Sequence, residues 1–348
     1  MKDNVLQLPP IMLDYLMSIT DETGVVQHAK FATPNRREGY ATDDNARALI
    51  VCTRHSRPNG NSEIAKLADV YLSFLYHMQI RDGRLHNFLS YDRQFLDDAG
   101  SDDSLGRVLW ASGCVINSNL DEEKKLLAKD IFDRALPHAL SSSSPRAKAF
   151  AVLGLGQYIH TYPEDQAVSR SIIELIEQLL KMYEQESSVE WCWFEPYLTY
   201  CNGRIPQALF EGYGLIKDEE YLRVAKDSLN FILKVQMSNG VFVPIGNNGW
   251  YKKGGIKAVY DQQSVEASCM TEVALAAFRA TRNNHFKTAA RTSFAWYLGN
   301  NTKTLSVYNP NTGGCYDGIT PDGLNLNQGA EAIVTYLLAR LEMETIGS

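Results

Sequence analysis

Apolar residues along the chain recur at helical spacing, and two kinds of predicted helix alternate. One kind is amphipathic, with an apolar face and a polar face. Its predicted members span 8–20, 65–78, 122–136, 166–185, 219–237 and 285–300. The other kind is apolar nearly all round, as at 149–159 and 331–339, which is typical of a helix enclosed by other elements. The alternation predicts an inner layer and an outer layer of helices.

A short polar motif opens each helix of the apolar kind. The six copies begin at 42–49, 102–109, 144–150, 202–209, 263–268 and 327–332. If Arg47, Arg107, Lys148, Gln207, Glu266 and Glu331 are equivalent, the steps between them are 60, 41, 59, 59 and 65 residues. Such a period exceeds one helix, so the repeating unit is a helical hairpin. Six hairpins predict an all-α (α/α)6 toroid that forms one domain over 1–348, with the first outer helix beside the last inner one.

The predicted connections differ in length at the two ends of this toroid. Connections from inner to outer helices are short, as at 161–165 and 281–284. Those from outer to inner helices are long at 21–42, 79–102, 186–201, 238–261 and 301–326, with 139–143 as the exception. Long loops in a compact domain usually carry function, and inner-helix N-termini offer unpaired amide donors. We therefore expect the functional site in the mouth at this end.

Composition excludes several other classes of function. The chain has 348 residues, a formal charge of −7 and no basic cluster, which argues against a nucleic-acid partner. No apolar run approaches the ~20 residues that span a bilayer, and the N-terminal segment lacks a signal-peptide core, so a cytoplasmic location is expected. Six scattered cysteines without CxxC spacing are expected to be packing residues rather than metal ligands or disulfides. No phosphate-binding glycine loop is present, and no cofactor is expected.

Aromatic and polar side chains alternate in the long loops. Sugars are bound by aromatic faces and by carboxylates, amides and guanidinium groups. The predicted substrate-binding residues are His86, Tyr91, Trp193, Tyr197, Arg204, Trp250, Asp261, Gln263, Tyr316 and Asp317. The alternative for each aromatic residue is that it packs its own loop against the toroid.

Four carboxylates are the predicted catalytic groups, since glycoside hydrolysis needs an acid and a second carboxylate. They are Asp44 and Asp103 at successive inner-helix starts, Glu195 in an aromatic loop, and Glu266 one turn inside its helix. Apolar neighbours would favour the protonated form of Glu195.

Several other charged residues are assigned structural roles. Asp43 and Asp102 are interpreted as helix caps or solvated groups. A buried polar belt is expected below the pocket, in which Arg47, Arg107 and Lys148 pair with Glu266 and Glu331.

Several long segments resemble a known family. They include TyrAlaThrAspAspAsnAlaArgAlaLeu (40–49), TrpPheGluProTyrLeuThrTyr (193–200) and GlyGlyCysTyrAspGlyIleThrProAspGly (313–323). The chain resembles, over almost its whole length, a bacterial helical-toroid family found alone or fused behind nucleotide-sugar glycosyltransferase domains. It departs from that family at Cys201, where an aspartate is expected.

More remotely, the architecture is similar to six-hairpin glycosidases, including the unsaturated glucuronyl hydrolases. That likeness implies that Asp44 and Asp103 are counterparts of the two aspartates at successive inner-helix starts of those enzymes.

Three hypotheses about function follow. The first is an intracellular glycoside hydrolase that acts on a short oligosaccharide through paired carboxylates. The second is a non-catalytic carbohydrate-binding or scaffold partner of a separately encoded glycosyltransferase. The third is an epimerase or isomerase, which would use histidines as acid and base; only His28 and His86 lie in long loops, so this hypothesis ranks last.

Overall fold

A computed structural model describes residues 6–56 and 62–346, which contain twelve α-helices. The odd-numbered helices are α1 (Asp14–Ser18), α3 (Ser62–Met78), α5 (Glu122–Ser141), α7 (Gln166–Glu186), α9 (Glu219–Gln236) and α11 (Asn284–Ala295). The even-numbered helices are α2 (Thr42–His55), α4 (Asp102–Ile116), α6 (Pro145–Thr161), α8 (Arg204–Ile216), α10 (Ser264–Thr281) and α12 (Ala330–Glu344).

The even-numbered helices form a closed inner ring. Each packs against the next, and α12 packs against α2. The odd-numbered helices α3 to α11 each pack on the inner helix before them, and α1 packs on α12. Inner helices are buried on nearly all sides, whereas outer helices bury one face, as the sequence pattern predicts. The (α/α)6 toroid is confirmed.

The first outer helix is much shorter than the sequence predicts. Helix α1 covers only Asp14–Ser18 instead of 8–20, and residues 6–13 are not helical. Pro9 and Pro10 precede α1 and lack the backbone N–H that a helix interior requires. The non-helical segment is nevertheless attached to the ring, because Arg340 Nε on α12 donates to the Pro9 carbonyl at 2.6 Å.

Helices α4 and α6 approach each other through glycines. A Cβ atom on Gly113 would lie 2.2 Å from the carbonyl oxygen of Gly154, and one on Gly154 would lie 2.4 Å from that of Leu109. Since the obstructing atoms are backbone, a larger residue would force the helices apart. The two glycines therefore determine how closely α4 and α6 pack in the inner ring.

Short antiparallel strands join the long loops into a collar around one end of the ring. The strands are β1 (Ala29–Lys30), β2 (Thr33–Pro34), β3 (Tyr40–Ala41), β4 (Phe88–Leu89), β5 (Tyr197–Leu198), β6 (Met237–Ser238), β7 (Val241–Phe242), β8 (Tyr251–Lys252), β9 (Gln262–Gln263), β10 (Tyr308–Asn309), β11 (Gly314–Cys315), β12 (Gly318–Thr320) and β13 (Gly323–Asn325). Strand β3 pairs with β4, β5 with β8, and β9 with β12, so each of these pairs links two different loops.

The remaining pairs are local hairpins within one loop, such as β1 with β2 and β12 with β13. The predicted division into long loops at one end and short turns at the other is also found. Within 6–56 and 62–346, the helices are all too short or too polar to cross a lipid bilayer.

Candidate active site

A cavity of about 290 Å³ opens inside the collar, at the N-termini of α2, α10 and α12. Its wall is predominantly polar. Five carboxyl side chains line it: Asp43, Asp44, Asp261, Asp317 and Glu331. Five amide side chains also line it: Gln27, Asn247, Gln262, Gln263 and Asn325. Carboxylates and amides can together bond every hydroxyl of a small polyol, as donors or as acceptors.

Arg47 connects three of these carboxylates. It is 3% exposed, and its Nη2 atom donates to Asp43 Oδ2 at 2.8 Å and to Asp44 Oδ1 at 2.7 Å. Its Nη1 atom lies 3.0 Å from Glu331 Oε2, but away from the direction of a hydrogen bond, so this contact is ionic. The pairing of Arg47 with Glu331 was expected from their equivalent positions in the repeat.

The pKa values of the two adjacent aspartates at the start of α2 shift in opposite directions. Burial opposes the charged form of Asp43, but Arg47 and Arg107 outweigh it and lower the pKa of that carboxyl. Burial, with the negative charge of Asp43 beside it, raises the pKa of Asp44 well above its usual value. The cavity therefore contains an ionised carboxylate next to one that favours its proton.

Asp317 also lines the cavity, in the loop before α12. Its Oδ1 atom accepts the Gly329 N–H at 2.6 Å, and burial raises its pKa. His28 lies at the rim, where its charge opposes that shift. Asp317 and His28 are thus the second pair of titratable groups that face the cavity.

The carboxylate cluster has the dimensions of a cation site. Asp43, Asp44 and Glu331 each place one oxygen within 4.8 Å of the others. Oxygen ligands of this kind suit a hard divalent cation. However, the Arg47 guanidinium contacts all three and already supplies a positive charge at the centre of the cluster.

Asp103 belongs to a second cluster, at the starts of α4 and α6. It accepts hydrogen bonds from Tyr200 Oη and Ser144 Oγ, both at 2.8 Å. Arg107 connects the two clusters, since its Nη1 atom lies 3.9 Å from Asp103 Oδ2 and 4.0 Å from Asp43 Oδ2. The two aspartates that the sequence pairs, Asp44 and Asp103, therefore lie in adjoining clusters rather than in one.

Glu195 is held in an ion pair rather than in an apolar pocket. Its Oε2 atom lies 2.8 Å from Arg146 Nη1, and both side chains are buried. Arg146 also donates to the carbonyl of Tyr200 at 2.6 Å and to the hydroxyl of Thr199 at 2.7 Å. The apolar surroundings expected for the Glu195 carboxyl are therefore not found, because its partner is the Arg146 guanidinium. Glu195 fixes the loop before α8 to α6.

Glu266 and Cys201 meet beneath the cavity. The Cys201 N–H donates to Glu266 Oε1 at 2.6 Å, and Arg107 Nη2 lies 3.7 Å from the Cys201 sulfur. A hydrogen bond from Cys269 and the nearby guanidinium groups lower the pKa of Cys201 to about 6. Burial raises the pKa of Glu266 well above its usual value. Glu266 is thus a buried group that binds backbone and does not line the cavity.

Two of the predicted binding residues are fully buried. Trp193 is 0% exposed and packs edge-on against Phe194. Its ring therefore has no free face on which a sugar could stack. Arg204 is 2% exposed and lies 2.6 Å from Glu272, which also binds Arg54 at 2.9 Å. Both residues stabilise the toroid instead of contacting a ligand.

The other predicted binding residues divide between the cavity and the collar. Asp261, Gln263 and Asp317 line the cavity. The residues outside it are His86, Tyr91, Tyr197, Trp250 and Tyr316. His86 stacks on Phe95 with ring centroids 4.0 Å apart and hydrogen-bonds the Asp97 carbonyl at 2.6 Å, which orders its own loop. The predicted aromatic binding residues therefore do not line this cavity, whose described wall is predominantly polar.

Sequence reasoning missed four ionisable residues of the cavity wall, and also its amides Gln27, Asn247, Gln262 and Asn325. Asp43 was assigned to capping, but the α2 N-cap is Ala41 and the Asp43 carboxylate binds Arg47. Glu331 and Arg47 were assigned to a belt below the pocket, and His28 was given little weight. The sequence contains a signal for one of these contacts, because Asp43 and Arg47 have the i,i+4 spacing of a helical ion pair.

One further structural assignment is corrected, and another is narrowed to one of its alternatives. The buried Lys148 side chain points away from the ring axis, toward the outer helix α7. It donates to the Ser142 carbonyl and to Gln178, so it does not join the belt. Asp102 is exposed, in agreement with the solvated alternative, and it does not cap α4, because Ser101 is the cap and Asp102 accepts the Ser142 hydroxyl at 2.6 Å.

Similar solved structures share this architecture. A sugar epimerase from a ruminal bacterium matches with a TM-score of 0.75 and 11% identity, covering 97% of both chains. A cellobiose 2-epimerase from Bacillus thermoamylovorans matches with a TM-score of 0.75 and 12% identity, covering 97% of this chain and 96% of the other. An α-mannanase from Bacteroides thetaiotaomicron matches with a TM-score of 0.66 and 12% identity, covering 95% of this chain and 94% of the other.

At these identities the likeness establishes the fold and not the activity. No protein-family model matches the sequence, and comparison with curated proteins gives no match. The resemblance to the glycosyltransferase-associated family therefore gains no support. The fold, by contrast, is that of six-hairpin (α/α)6 toroid enzymes.

Proposed function

We propose that the protein is a carbohydrate-active enzyme, and specifically a glycoside hydrolase that acts on a short oligosaccharide in the cavity inside the collar. The observation that carries the proposal is the pair Asp43 and Asp44. Their environments move the two pKa values in opposite directions, which is the arrangement by which paired carboxylates divide acid and base work.

Asp44 is assigned as the general acid. Its raised pKa keeps a proton available for the leaving-group oxygen. Asp43 is assigned as the ionised partner, because Arg47 and Arg107 stabilise its charge. One oxygen of each group lies within 4.8 Å of the other, which argues against the ~6.5–9.5 Å carboxyl separation of inverting enzymes.

The cavity also fits a sugar in size and polarity. Its volume of about 290 Å³ is at the small end of ligand pockets, suited to a single sugar ring with its neighbour at the mouth. Amide side chains from three loops would bond the ring hydroxyls. Solved structures of the same fold include a mannanase and a cellulase, which supports a carbohydrate substrate.

The test is release of reducing sugar from a panel of di- and trisaccharides, followed by NMR spectroscopy. Asp44→Asn keeps the shape of the side chain but removes the acid. Asp102→Asn is the matched control, because Asp102 also begins an inner helix but binds Ser142. Hydrolysis by the wild type and by D102N, lost in D44N, is the expected result. Hydrolysis at wild-type rate by D44N would reject the site.

A second candidate function is sugar epimerisation or isomerisation, and His28 at the cavity rim favours it. An imidazole beside Asp317 could exchange a proton next to a sugar carbonyl. The same NMR experiment distinguishes the two reactions when it is run in deuterated water. Hydrolysis splits the oligosaccharide, whereas epimerisation keeps it whole and incorporates deuterium at the exchanged carbon.

A further inference from the structure

Arg107 is a buried arginine whose hydrogen-bonding capacity is largely unused. It is 6% exposed, and its guanidinium lies over the Phe150 ring, 4.5 Å from the ring centroid, which fixes its position without engaging its N–H donors. Among the described residues, its Nε atom meets no acceptor and its Nη2 atom meets only the Cys201 sulfur, at 3.7 Å. An arginine carries five N–H donors, and buried donors without an acceptor are costly. An acceptor from outside the chain is therefore expected.

The remaining guanidinium nitrogen, Nη1, lies between two carboxylates. It is 4.0 Å from Asp43 Oδ2 and 3.9 Å from Asp103 Oδ2, and both distances exceed the ~3.2 Å reach of an N–H···O hydrogen bond. A hydroxyl oxygen placed between Nη1 and either carboxylate would accept from the arginine and donate to the carboxylate. A single hydroxyl group can therefore complete the hydrogen bonding that Arg107 and its two neighbours leave open.

This arrangement borders the cavity and extends it toward α4. Asp43 lines the cavity, whereas Asp103 accepts the Tyr200 hydroxyl at 2.8 Å at the start of α4. Tyr200 remains 36% exposed, and its ring centroid lies 6.2 Å from that of Trp250, on the loop that also carries Asn247 of the cavity wall. The second cluster thus adjoins the cavity within the same collar and keeps exposed aromatic surface.

We propose that Asp103 and Arg107 bind a hydroxyl group of a second sugar ring, next to the ring held in the cavity. This inference rests on the proposed function and adds one sugar subsite to it. The ring is neutral, because an anionic substituent at Arg107 would meet two carboxylates for one cation. Asp103 is then a substrate-binding residue and not the second catalytic carboxylate that its place at an inner-helix start suggests.

The test compares the affinity for disaccharides with the affinity for their constituent monosaccharides. Cellobiose, maltose and mannobiose are titrated against glucose and mannose, and binding is followed by ligand-observed NMR. All proteins in the titration carry Asp44→Asn, so that no disaccharide is consumed. At least one disaccharide is expected to bind about tenfold more tightly than its monosaccharide, because hydrogen bonds to charged groups are stronger than those between neutral groups.

Two substitutions locate the second subsite. Asp103→Asn keeps the shape of the side chain but removes its charge, and Arg107→Lys keeps the charge but loses the fixed Nη1 donor. Each should lower the affinity for the disaccharide to that for the monosaccharide, while the affinity for the monosaccharide is kept. Asp102→Asn is the matched control and should keep the preference, because Asp102 is the neighbour of Asp103 but binds Ser142. If D103N does not fold, as judged by its Tm, R107K decides the matter.

Three results would overturn the second subsite. They are equal affinity for disaccharides and monosaccharides, a preference for the disaccharide that persists in folded D103N or R107K, and the absence of disaccharide binding.

The test also distinguishes this inference from the function on which it rests. Cleavage of disaccharides by the wild type, without tighter disaccharide binding, would contradict only the second subsite. A disaccharide preference that is lost in D103N, with no cleavage of any oligosaccharide by the wild type, would contradict only the proposed hydrolysis.

Discussion

Arg47 on the first inner helix and Glu331 on the last lie 3.0 Å apart, and this contact joins the two ends of the ring at the cavity wall. The same guanidinium binds Asp43 and Asp44. One arginine therefore sets both the closure of the toroid and the charge of the carboxylates proposed to act on substrate. A substitution of Glu331 should therefore change the pKa of Asp44.

The pH dependence of activity tests this relation. Glu331 raises the pKa of Asp44, and Arg47 lowers it. Glu331→Gln removes a negative charge and leaves Arg47 freer to bind Asp44, so both changes lower the Asp44 pKa. Since Asp44 must be protonated to act as an acid, the basic limb of the pH profile of kcat/KM should move to lower pH in E331Q. If the basic limb of the kcat/KM profile has the same position in E331Q as in the wild type, Asp44 is not the general acid.

Glu195 gives a prediction about stability rather than catalysis. Glu195→Ala leaves the buried guanidinium of Arg146 without its partner, and loss of one member of a buried ion pair typically costs about 3–5 kcal/mol. Urea unfolding should show a loss of this order. The matched control is Glu190→Ala in the same loop, which is exposed and should change stability little. Unchanged stability with lost activity would restore Glu195 as a catalytic residue.

Cys201 should make stability depend on pH. Its pKa is about 6 in the fold, against the ordinary 9.0 of an unfolded chain. Between these values the unfolded chain holds a proton that the folded chain lacks, so the contribution rises with pH across this window, by at most ~1.4 kcal/mol per unit. It is lost as pH falls through about 6.

Cys201→Ser cannot form the thiolate and should flatten this dependence. The measurement is the difference in free energy of unfolding between wild type and C201S, by urea denaturation at several pH values. Cys192, which is less buried and outside this cluster, provides the control variant C192S. A difference that is constant with pH would show that the Cys201 thiol is neutral in the fold.

Trp193 tests whether the aromatic loop binds sugar or packs the core. Trp193→Ala removes a side chain that is 0% exposed, and such truncations typically cost about 3–5 kcal/mol. Folded W193A should still bind sugar as the wild type does, because Trp193 does not line the cavity. Tyr197→Ala, in the same loop but 41% exposed, is the comparison and should be far less destabilising. A folded W193A that no longer binds sugar would contradict the packing role.

The ring of helices could be predicted because the sequence encodes it locally. Apolar periodicity distinguishes inner from outer helices, and the spacing of the motif counts the hairpins. The repeat also placed Arg47 and Glu331 at equivalent positions, from which their contact follows. The exception is α1, where Pro9 and Pro10 should have limited the predicted helix.

The site could be predicted only in part, because the role of each carboxylate depends on its partner. Asp43 and Asp44 are adjacent in sequence, yet their pKa values shift in opposite directions through contacts with Arg47 and Arg107. Glu195 meets Arg146, which lies 49 residues away in the chain and which no local pattern connects to it. Residue types indicated the correct end of the toroid, but the distant contacts decided which groups face the cavity.

A glycosyltransferase partner and a cytoplasmic location stay predictions from the sequence. The non-catalytic hypothesis is also still open, and it differs from the proposed function in one observable. A binding protein would retain oligosaccharide and never release a shorter product. Turnover is therefore the quantity that separates the two.

The most direct measurement is an NMR time course of the oligosaccharide panel with wild type, D44N, D43N and the control D102N. The account predicts new reducing ends with the wild type and D102N. It predicts rates lower by about 10²–10⁴-fold in D44N, the range that a positioned acid contributes, and a loss at least as large in D43N. Cleavage at wild-type rate by D44N and D43N would contradict the central claim, as would the absence of cleavage by the wild type on every member of the panel.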